Sequence, residues 1–337
     1  MAEASSSRVL RFNRMRRVLF VGPTGTGKST LINVLINNNA SIESMSKPAS
    51  ASDTSSGQTA FFTTYYDFPN NAYTDSIGLG DNRFNPERVM ASLKSIIKNS
   101  SIGYNKIYLC IQHGRISSDT RRYIDLLTAI FGEGVLKWCS IIFTHCNDQT
   151  ITKEKYLSKN SQDTNIVELI NQVSTVLFGD NMSDIDPDIE VVLAKRRHAF
   201  LNRIKQDIEE RANREYFKPE PEDFMERIYR IIEILASSFI STFIKARTVA
   251  DDVKNLALAA LTALQPLQYS NYFGECSICT ADMTDINAPI ITKCNHVFHK
   301  VCLEKWISGK DIKNCPICRT EFDVGQKTLY TNLTLDT

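Results

Sequence analysis

The chain has 337 residues, 42% of them hydrophobic and 23% charged, which is length enough for two folded units and excludes wholesale disorder. Lys and Arg number 39 against 38 Asp and Glu, so nothing in the net charge calls for a nucleic acid or an anionic membrane. No segment offers the roughly 18 uncharged apolar residues of a membrane span.

Arg8, Arg11, Arg14, Arg16 and Arg17 crowd the amino terminus. With Glu3 present and no apolar stretch, residues 1–16 read as a solvated basic arm and not as a targeting segment. Arg17 to Val21 is a short apolar run that ends in Gly22-Pro-Thr-Gly25-Thr-Gly27-Lys28-Ser29-Thr30, and Ser29 to Ile36 then shows helical spacing. This fits G-x-x-x-x-G-K-[ST] between a strand and a helix, the context the motif requires. The backbone amides of such a loop and the helix amino terminus attract phosphates. Gly22, Gly25, Gly27, Lys28, Ser29 and Thr30 are therefore the candidate cradle, with Lys28 reaching the β/γ-phosphates and Ser29 ligating Mg²⁺.

Seven of the sixteen residues from Ser41 to Ser56 are Ser, and the segment reads as a loop. Strand-like segments are expected at Phe61–Phe68, Lys106–Ile111 and Cys139–Thr144, with a fourth candidate at Glu190–Ala194. Helical stretches at Pro86–Lys98 and Ser118–Phe131 separate them. That alternation predicts an α/β fold, a parallel doubly wound sheet with helices on both faces. Asp75-Ser-Ile-Gly78 follows the first of these strands and fits D-x-x-G. Asp75 would hold Mg²⁺ through water, and the Gly78 amide would sense a γ-phosphate.

Three further segments carry a resemblance: Ile111-Gln-His-Gly-Arg-Ile-Ser-Ser-Asp119, Phe131-Gly-Glu-Gly-Val-Leu136 and Ile141-Ile-Phe-Thr144-His-Cys-Asn-Asp148. They resemble the immune-associated nucleotide-binding GTPases, a septin-like branch of P-loop GTPases, over about residues 17–200. The resemblance implies GTP with Mg²⁺, with Asp148 or Asn147 reading the base and His145 beside it. It also implies a switch threonine on Mg²⁺, for which Thr59 is the choice and Thr63 and Thr64 are rivals. Asp-Ser-Ile-Gly stands where the family has D-T-P-G, and no simple N-K-x-D motif is present. Leu79 occupies the place of a water-orienting glutamine, so intrinsic hydrolysis is expected to be slow unless a GTP-dependent homodimer or another protein completes the site.

After Ala194 the pattern is helical, with a charged stretch at Arg196–Phe217 and an amphipathic one at Glu222–Leu264. Residues 17–205 read as the nucleotide domain and 206–268 as a helical extension or linker. The stripe at 222–264 is expected to pack helices, with dimerisation or contact with a membrane surface as the alternatives. The expected compartment is the cytoplasm, where disulfides are rare, yet six of the nine cysteines fall in the last 62 residues. Clustered thiols in a reducing compartment point to metal.

Cys276, Cys279, Cys294, His296, His299, Cys302, Cys315 and Cys318 follow one another as C-x2-C, C-x-H, H-x2-C and C-x2-C. Structural zinc takes four Cys or His ligands tetrahedrally, so four such pairs satisfy two ions with no open position. A module of this size buries too little core to fold alone, and metal has to supply much of its folding free energy.

Order and spacing resemble the two-histidine RING family over about 45 residues, here 273–322, with 323–337 a tail. The resemblance implies an interleaved ligation: Cys276, Cys279, His299 and Cys302 on one Zn²⁺, Cys294, His296, Cys315 and Cys318 on the other. It implies further that Ile278, Trp306 and Pro316 form an apolar groove for a ubiquitin-conjugating enzyme. Arg319 would clamp that enzyme against its ubiquitin through a guanidinium that bonds two carbonyls at once. The expected activity is that of a RING-type ubiquitin-protein ligase acting by orientation and not by a covalent step. The alternative is a GTP-dependent scaffold whose RING is only a zinc-stabilised interaction module.

Overall fold

The computed structural model describes residues 9–12, 15–37, 62–67, 70–76, 103–114, 118–180, 190–210, 272–308, 313–322 and 330–335, with breaks of one or two residues inside some spans, together with isolated residues such as Ala49 and Phe217. The loop expected over 41–56 (Ala49 apart), the helices expected at 86–98 and 222–264, and Thr59, Gly78 and Leu79 lie outside the described residues.

A six-stranded sheet organises the first domain. Its strands are β2 (Arg16–Val21), β3 (Phe62–Asp67), β4 (Asn71–Ser76), β5 (Lys106–Gln112), β6 (Cys139–Thr144) and β7 (Thr175–Phe178), in the order β3-β4-β2-β5-β6-β7. β4, β2, β5, β6 and β7 run parallel, whereas β3 pairs antiparallel with β4. The sheet is thus mixed where a parallel one was expected. Every side chain of β6 is buried, as a strand covered on both faces requires. The covering helices are α1 (Lys28–Asn37), α2 (Ser118–Phe131), α3 (Lys153–Lys159), α4 (Thr164–Gln172) and α5 (Glu190–Glu210). One apolar cluster joins β5, β6 and α2; the other joins α1, β2, β4 and α5.

One expected strand fails here. Glu190–Ala194 is the first turn of α5 and not a strand, and Val191 and Val192 are exposed on it. The sheet's last strand is the four-residue β7, too short to show a period. Asp75 follows β3, the strand expected before it, and itself lies inside a further strand, β4. At Glu190–Ala194 β-branched content was a weaker guide than the tertiary partner.

A buried polar cluster fastens α5 to the sheet. Lys106 Nζ lies 2.8 Å from Asp207 Oδ2, and the Tyr108 hydroxyl donates to the same oxygen at 2.7 Å. Burial, then the neighbouring carboxylate, pushes the Tyr108 hydroxyl well above the usual tyrosine range.

The second domain holds β8 (Tyr272–Glu275) paired with β9 (Asp282–Thr284), then β10 (Ile290–Thr292), β11 (Val297–Phe298) and α6 (Lys300–Ile307). Two outlying segments complete it. β12 (Tyr330–Leu335) pairs antiparallel with β10, and β1 (Val9–Phe12) pairs parallel with β12, giving the order β1-β12-β10-β11. Part of the solvated arm and part of the tail are therefore paired strands. Arg16, expected in the arm, opens β2, and the adjoining Arg17 is 3% exposed, with its guanidinium 5.0 Å from the centre of the Tyr104 ring. The tail is pinned again by the Tyr330 hydroxyl, which donates to Glu304 of α6 at 2.5 Å.

The two domains share a third apolar cluster. Met15, Tyr66 and Ala72 of the first pack with Phe273, Met283 and Ile290 of the second, and the Tyr66 and Phe273 rings sit 5.7 Å apart.

Candidate metal centre and nucleotide site

Two tight turns and a helix build the metal centre. In the first turn the Cys276 N–H donates to Ala281 O and the Thr280 N–H to Cys276 O; in the second the Cys315 N–H donates to Thr320 O and the Arg319 N–H to Cys315 O. The turns are near copies, and both close on a residue in the left-handed region, Thr280 at φ 59° and Arg319 at φ 62°. Such turns aim both sulfurs of a C-x2-C pair at one point. α6 starts at Lys300 with His299 as its cap residue and carries Cys302 in its first turn.

The eight side chains gather as two groups of four: Cys276, Cys279, His299 and Cys302, and Cys294, His296, Cys315 and Cys318. Within each group every candidate ligand atom lies within 4.8 Å of the others. His299 Nδ1 is 3.3 Å from Cys279 Sγ and 3.9 Å from Cys302 Sγ. His296 Nδ1 is 3.5 Å from both Cys294 Sγ and Cys315 Sγ. Tetrahedral zinc, with bonds of about 2.3 Å to sulfur and 2.0 Å to nitrogen, sets a sulfur–nitrogen edge of about 3.6 Å. The donor sets fit that ion.

Polar neighbours lie beside three of the sulfurs and one of the imidazoles. A hydrogen bond from the Ala281 backbone N–H draws the Cys279 thiol down to about 7. Threonine hydroxyls lie 3.1 Å from two other sulfurs, Thr292 at Cys294 and Thr320 at Cys318. His299 Nε2 is 3.1 Å from Asp282 O, an outward bond that leaves Nδ1 for metal.

Ile278, Trp306 and Pro316 are half-buried, and Arg319 is exposed. Trp306 Nε1–H donates to Asn314 O at 3.2 Å, which fixes the indole against the second turn. Ile317, beside Pro316, is 48% exposed, an apolar neighbour of the expected groove.

The nucleotide site forms at the carboxyl ends of β2, β4 and β6. β2 lies between β4 and β5, where the direction of strand progression reverses, the usual crevice for phosphates in open α/β sheets. Gly22, Gly25 and Gly27 all take positive φ, at 146°, 79° and 78°. At Gly22 a Cβ would stand 2.2 Å from Cys110 O, so that position admits no side chain. Lys28 Nζ donates to Gly22 O at 2.8 Å and to Pro23 O at 2.9 Å, folded over the loop it belongs to. Burial holds its ammonium below the ordinary lysine range, and Asp75 works against that shift.

Ser29 Oγ donates to Asp75 Oδ2 at 2.5 Å, while Asp75 Oδ1 is buried with no hydrogen-bond partner. Burial raises the Asp75 carboxyl, and Lys28 and Ser29 pull it back. An orphaned carboxylate oxygen beside a hydroxyl offers hard oxygen donors to a divalent cation, so the residues present fit Mg²⁺.

After β6 His145 sits at φ 54° and is exposed, as are Asn147 and Asp148, while Cys146 between them is buried and its N–H donates to Gly179 O. Asp148 Oδ1 accepts from both the N–H and the hydroxyl of Thr150 at 2.8 Å, which anchors the carboxylate. Thr63 and Thr64 lie in β3, where Thr64 Oγ1 meets Thr74 Oγ1 at 3.0 Å. One residue behind the site has no sequence signal: buried Asn33 of α1 exchanges two 2.8 Å hydrogen bonds with the backbone of Ala49.

Residues 16–229 match the AIG1 family, well over half of the chain. The chain belongs to the AIG1 family. Residues 274–329 of this AIG1-family protein match the ring finger domain. Among curated relatives, the RING-H2 finger protein ATL81 of Arabidopsis thaliana is 44% identical over 55 residues, 16% of each chain. The probable E3 ubiquitin-protein ligase XERICO of Arabidopsis thaliana is 48% identical over 46 residues, 14% of this chain and 28% of that one. The match to these relatives thus spans well under a third of their length. Toc33 from Arabidopsis thaliana, solved with GDP and Mg²⁺, aligns with 61% of this chain and 88% of its own at a TM-score of 0.36 and 13% identity. Among the described residues no helix is long and apolar enough to cross a membrane.

Proposed function

We propose that this AIG1-family protein is a RING-type ubiquitin-protein ligase whose nucleotide domain binds GTP with Mg²⁺ and regulates, localises or pairs the RING. The observation that carries the ligase reading is the interleaved convergence of eight ligands in two closed tetrads. Two Zn²⁺ would fill them, and closed shells leave the metal a structural part only. Relatives of the zinc domain bear ligase names, which supports the same reading.

The work then falls to the surface the metals hold. Ile278, Trp306 and Pro316 receive a ubiquitin-conjugating enzyme, and Arg319, held out from the second turn, bonds across the enzyme and its ubiquitin. Catalysis consists of restricting the loaded ubiquitin to reactive orientations. In the first domain Lys28 swings from the loop carbonyls to the phosphates, Ser29 and Asp75 hold Mg²⁺, and His145, Asn147 and Asp148 meet the base. Thr59 and Gly78 are proposed for the γ-phosphate. Pairing of two nucleotide domains would bring two RINGs together at high effective concentration. Nine free thiols, six of them in metal groups, suit a reducing compartment, here the cytoplasm.

The test is conjugation by purified full-length protein with a panel of conjugating enzymes, ATP and ubiquitin. We expect conjugates with at least one member, reduced tenfold or more by Ile278→Ala and by Arg319→Ala. No conjugates with any member would leave the scaffold reading. Calorimetry against GTP and ATP, with Lys28→Ala as control, tests the nucleotide; equal affinity for both would reject GTP selectivity.

A further inference from the structure

The RING is seated on strands that also build the phosphate site, and it is seated at their opposite ends. β2 has Met15 just before its first residue, in the shared apolar cluster, and runs directly into Gly22. β4 has Ala72 in the same cluster and carries Asp75 three residues further on. β3 supplies Tyr66, which pairs with Ala72, and Thr63, which pairs with Asp75. The β3–β4 hairpin therefore presents the seat for Phe273 at one end and the orphaned carboxylate at the other. Three residues of strand, about 10 Å, separate Ala72 from Asp75, so the two residues do not touch.

On the RING side the seat lies close to the metal centre. Phe273 in β8 precedes the ligand Cys276 by three residues, and Cys276 begins the turn that holds Ile278. β1 adds a second attachment: it pairs with β12, which pairs with β10 of the zinc domain, and it enters β2 within four residues of Phe12. The RING is thus held by both strands that end in phosphate-site residues.

Asp75 is the point at which ligand binding acts on this frame. Its Oδ2 is held by Ser29 and its buried Oδ1 is unpartnered. A cation reaching Oδ1 changes the contacts of β4 itself, and β4 is hydrogen-bonded to β3 along its full length. We propose that the β3–β4 hairpin transmits occupancy of the Ser29–Asp75 site to the Tyr66–Phe273 seat, so that Mg²⁺-nucleotide alters how firmly the RING is docked. This rests on the nucleotide-binding reading above, but not on the ligase reading.

Hydrogen exchange of the full-length zinc-loaded chain tests it, in Mg²⁺ alone, Mg²⁺ with GDP and Mg²⁺ with GTP. We expect exchange over residues 272–284 to differ by about fivefold or more between the nucleotide-free state and at least one nucleotide state, the lower range of measured couplings. Lys28→Ala abolishes the difference by preventing binding. Tyr66→Leu and Phe273→Leu, which remove the ring contact, abolish it while nucleotide still binds, its calorimetric affinity shifted by no more than the coupling factor itself. Nucleotide binding with unchanged exchange over 272–284 overturns the coupling. A difference that persists undiminished in both seat variants also overturns the hairpin as its carrier. Absence of nucleotide binding rejects the underlying reading, and this inference with it. Conjugation measured in parallel reports separately on the ligase.

Discussion

The nucleotide domain and the RING solve the same problem of stability by different physics. The first buries two apolar clusters around a six-stranded sheet and fastens α5 with a buried ion pair. The second has one cluster, shared with its neighbour, and places eight metal-ligating side chains where a larger domain would have more core. A small unit can replace burial with coordination, but its fold then depends on an ion and on whatever surface completes its core.

The sharpest way to break the comparison is to remove zinc with a chelator that spares Mg²⁺. Structural zinc is worth on the order of 10–16 kcal/mol. We therefore expect the RING to unfold while the nucleotide domain keeps its far-ultraviolet dichroism. The two tryptophans report separately, since Trp138 lies in the 3-10 turn before β6 and Trp306 in α6. A Trp138→Phe protein should lose ordered Trp306 fluorescence on chelation. An unchanged Trp306 spectrum after zinc loss would contradict a coordination-dependent fold.

Asp207→Ala is the converse experiment. It leaves the buried Lys106 ammonium without its carboxylate, a loss of about 3–5 kcal/mol. The melting transition of the nucleotide domain should fall while bound zinc is unchanged; coupled loss of zinc would mean that the domains do not fold independently.

Gly22→Ala brings a methyl group onto Cys110 O in the phosphate loop. We expect about 1–3 kcal/mol of destabilisation and loss of calorimetric nucleotide binding, with conjugation in the absence of nucleotide unaffected.

The smallest effect sharpens the contrast within the RING. Arg319 holds a left-handed conformation that costs a non-glycine residue about 1 kcal/mol. Arg319→Gly should raise the RING's resistance to thermal unfolding slightly and lower conjugation. A gain in both would remove the guanidinium from the proposed clamp.

Both sites were legible before any coordinates because their chemistry is local in sequence. A C-x2-C turn has to aim two sulfurs at one ion, and a Gly-x4-Gly-Lys-Ser loop has to open its amides to phosphate. The eight ligands and Gly22 to Ser29 therefore declared themselves by spacing, as did the buried strands β5 and β6. The pairing of eight ligands into two tetrads came from family resemblance, and the geometry agrees with it. What spacing could not reach was any contact between distant segments. Val9–Phe12 and Tyr330–Leu335 read as arm and tail because neither buries a face by itself; each becomes a strand only beside the other and β10. Val191 and Val192 suggested a strand because β propensity describes packing on a sheet, and no sheet edge receives them there. The seat of Phe273 on Tyr66 joins residues more than two hundred positions apart, and no local period encodes it. Local chemistry is written in short intervals of sequence, whereas the docking of one domain on another is decided by which apolar surfaces remain uncovered once each has folded.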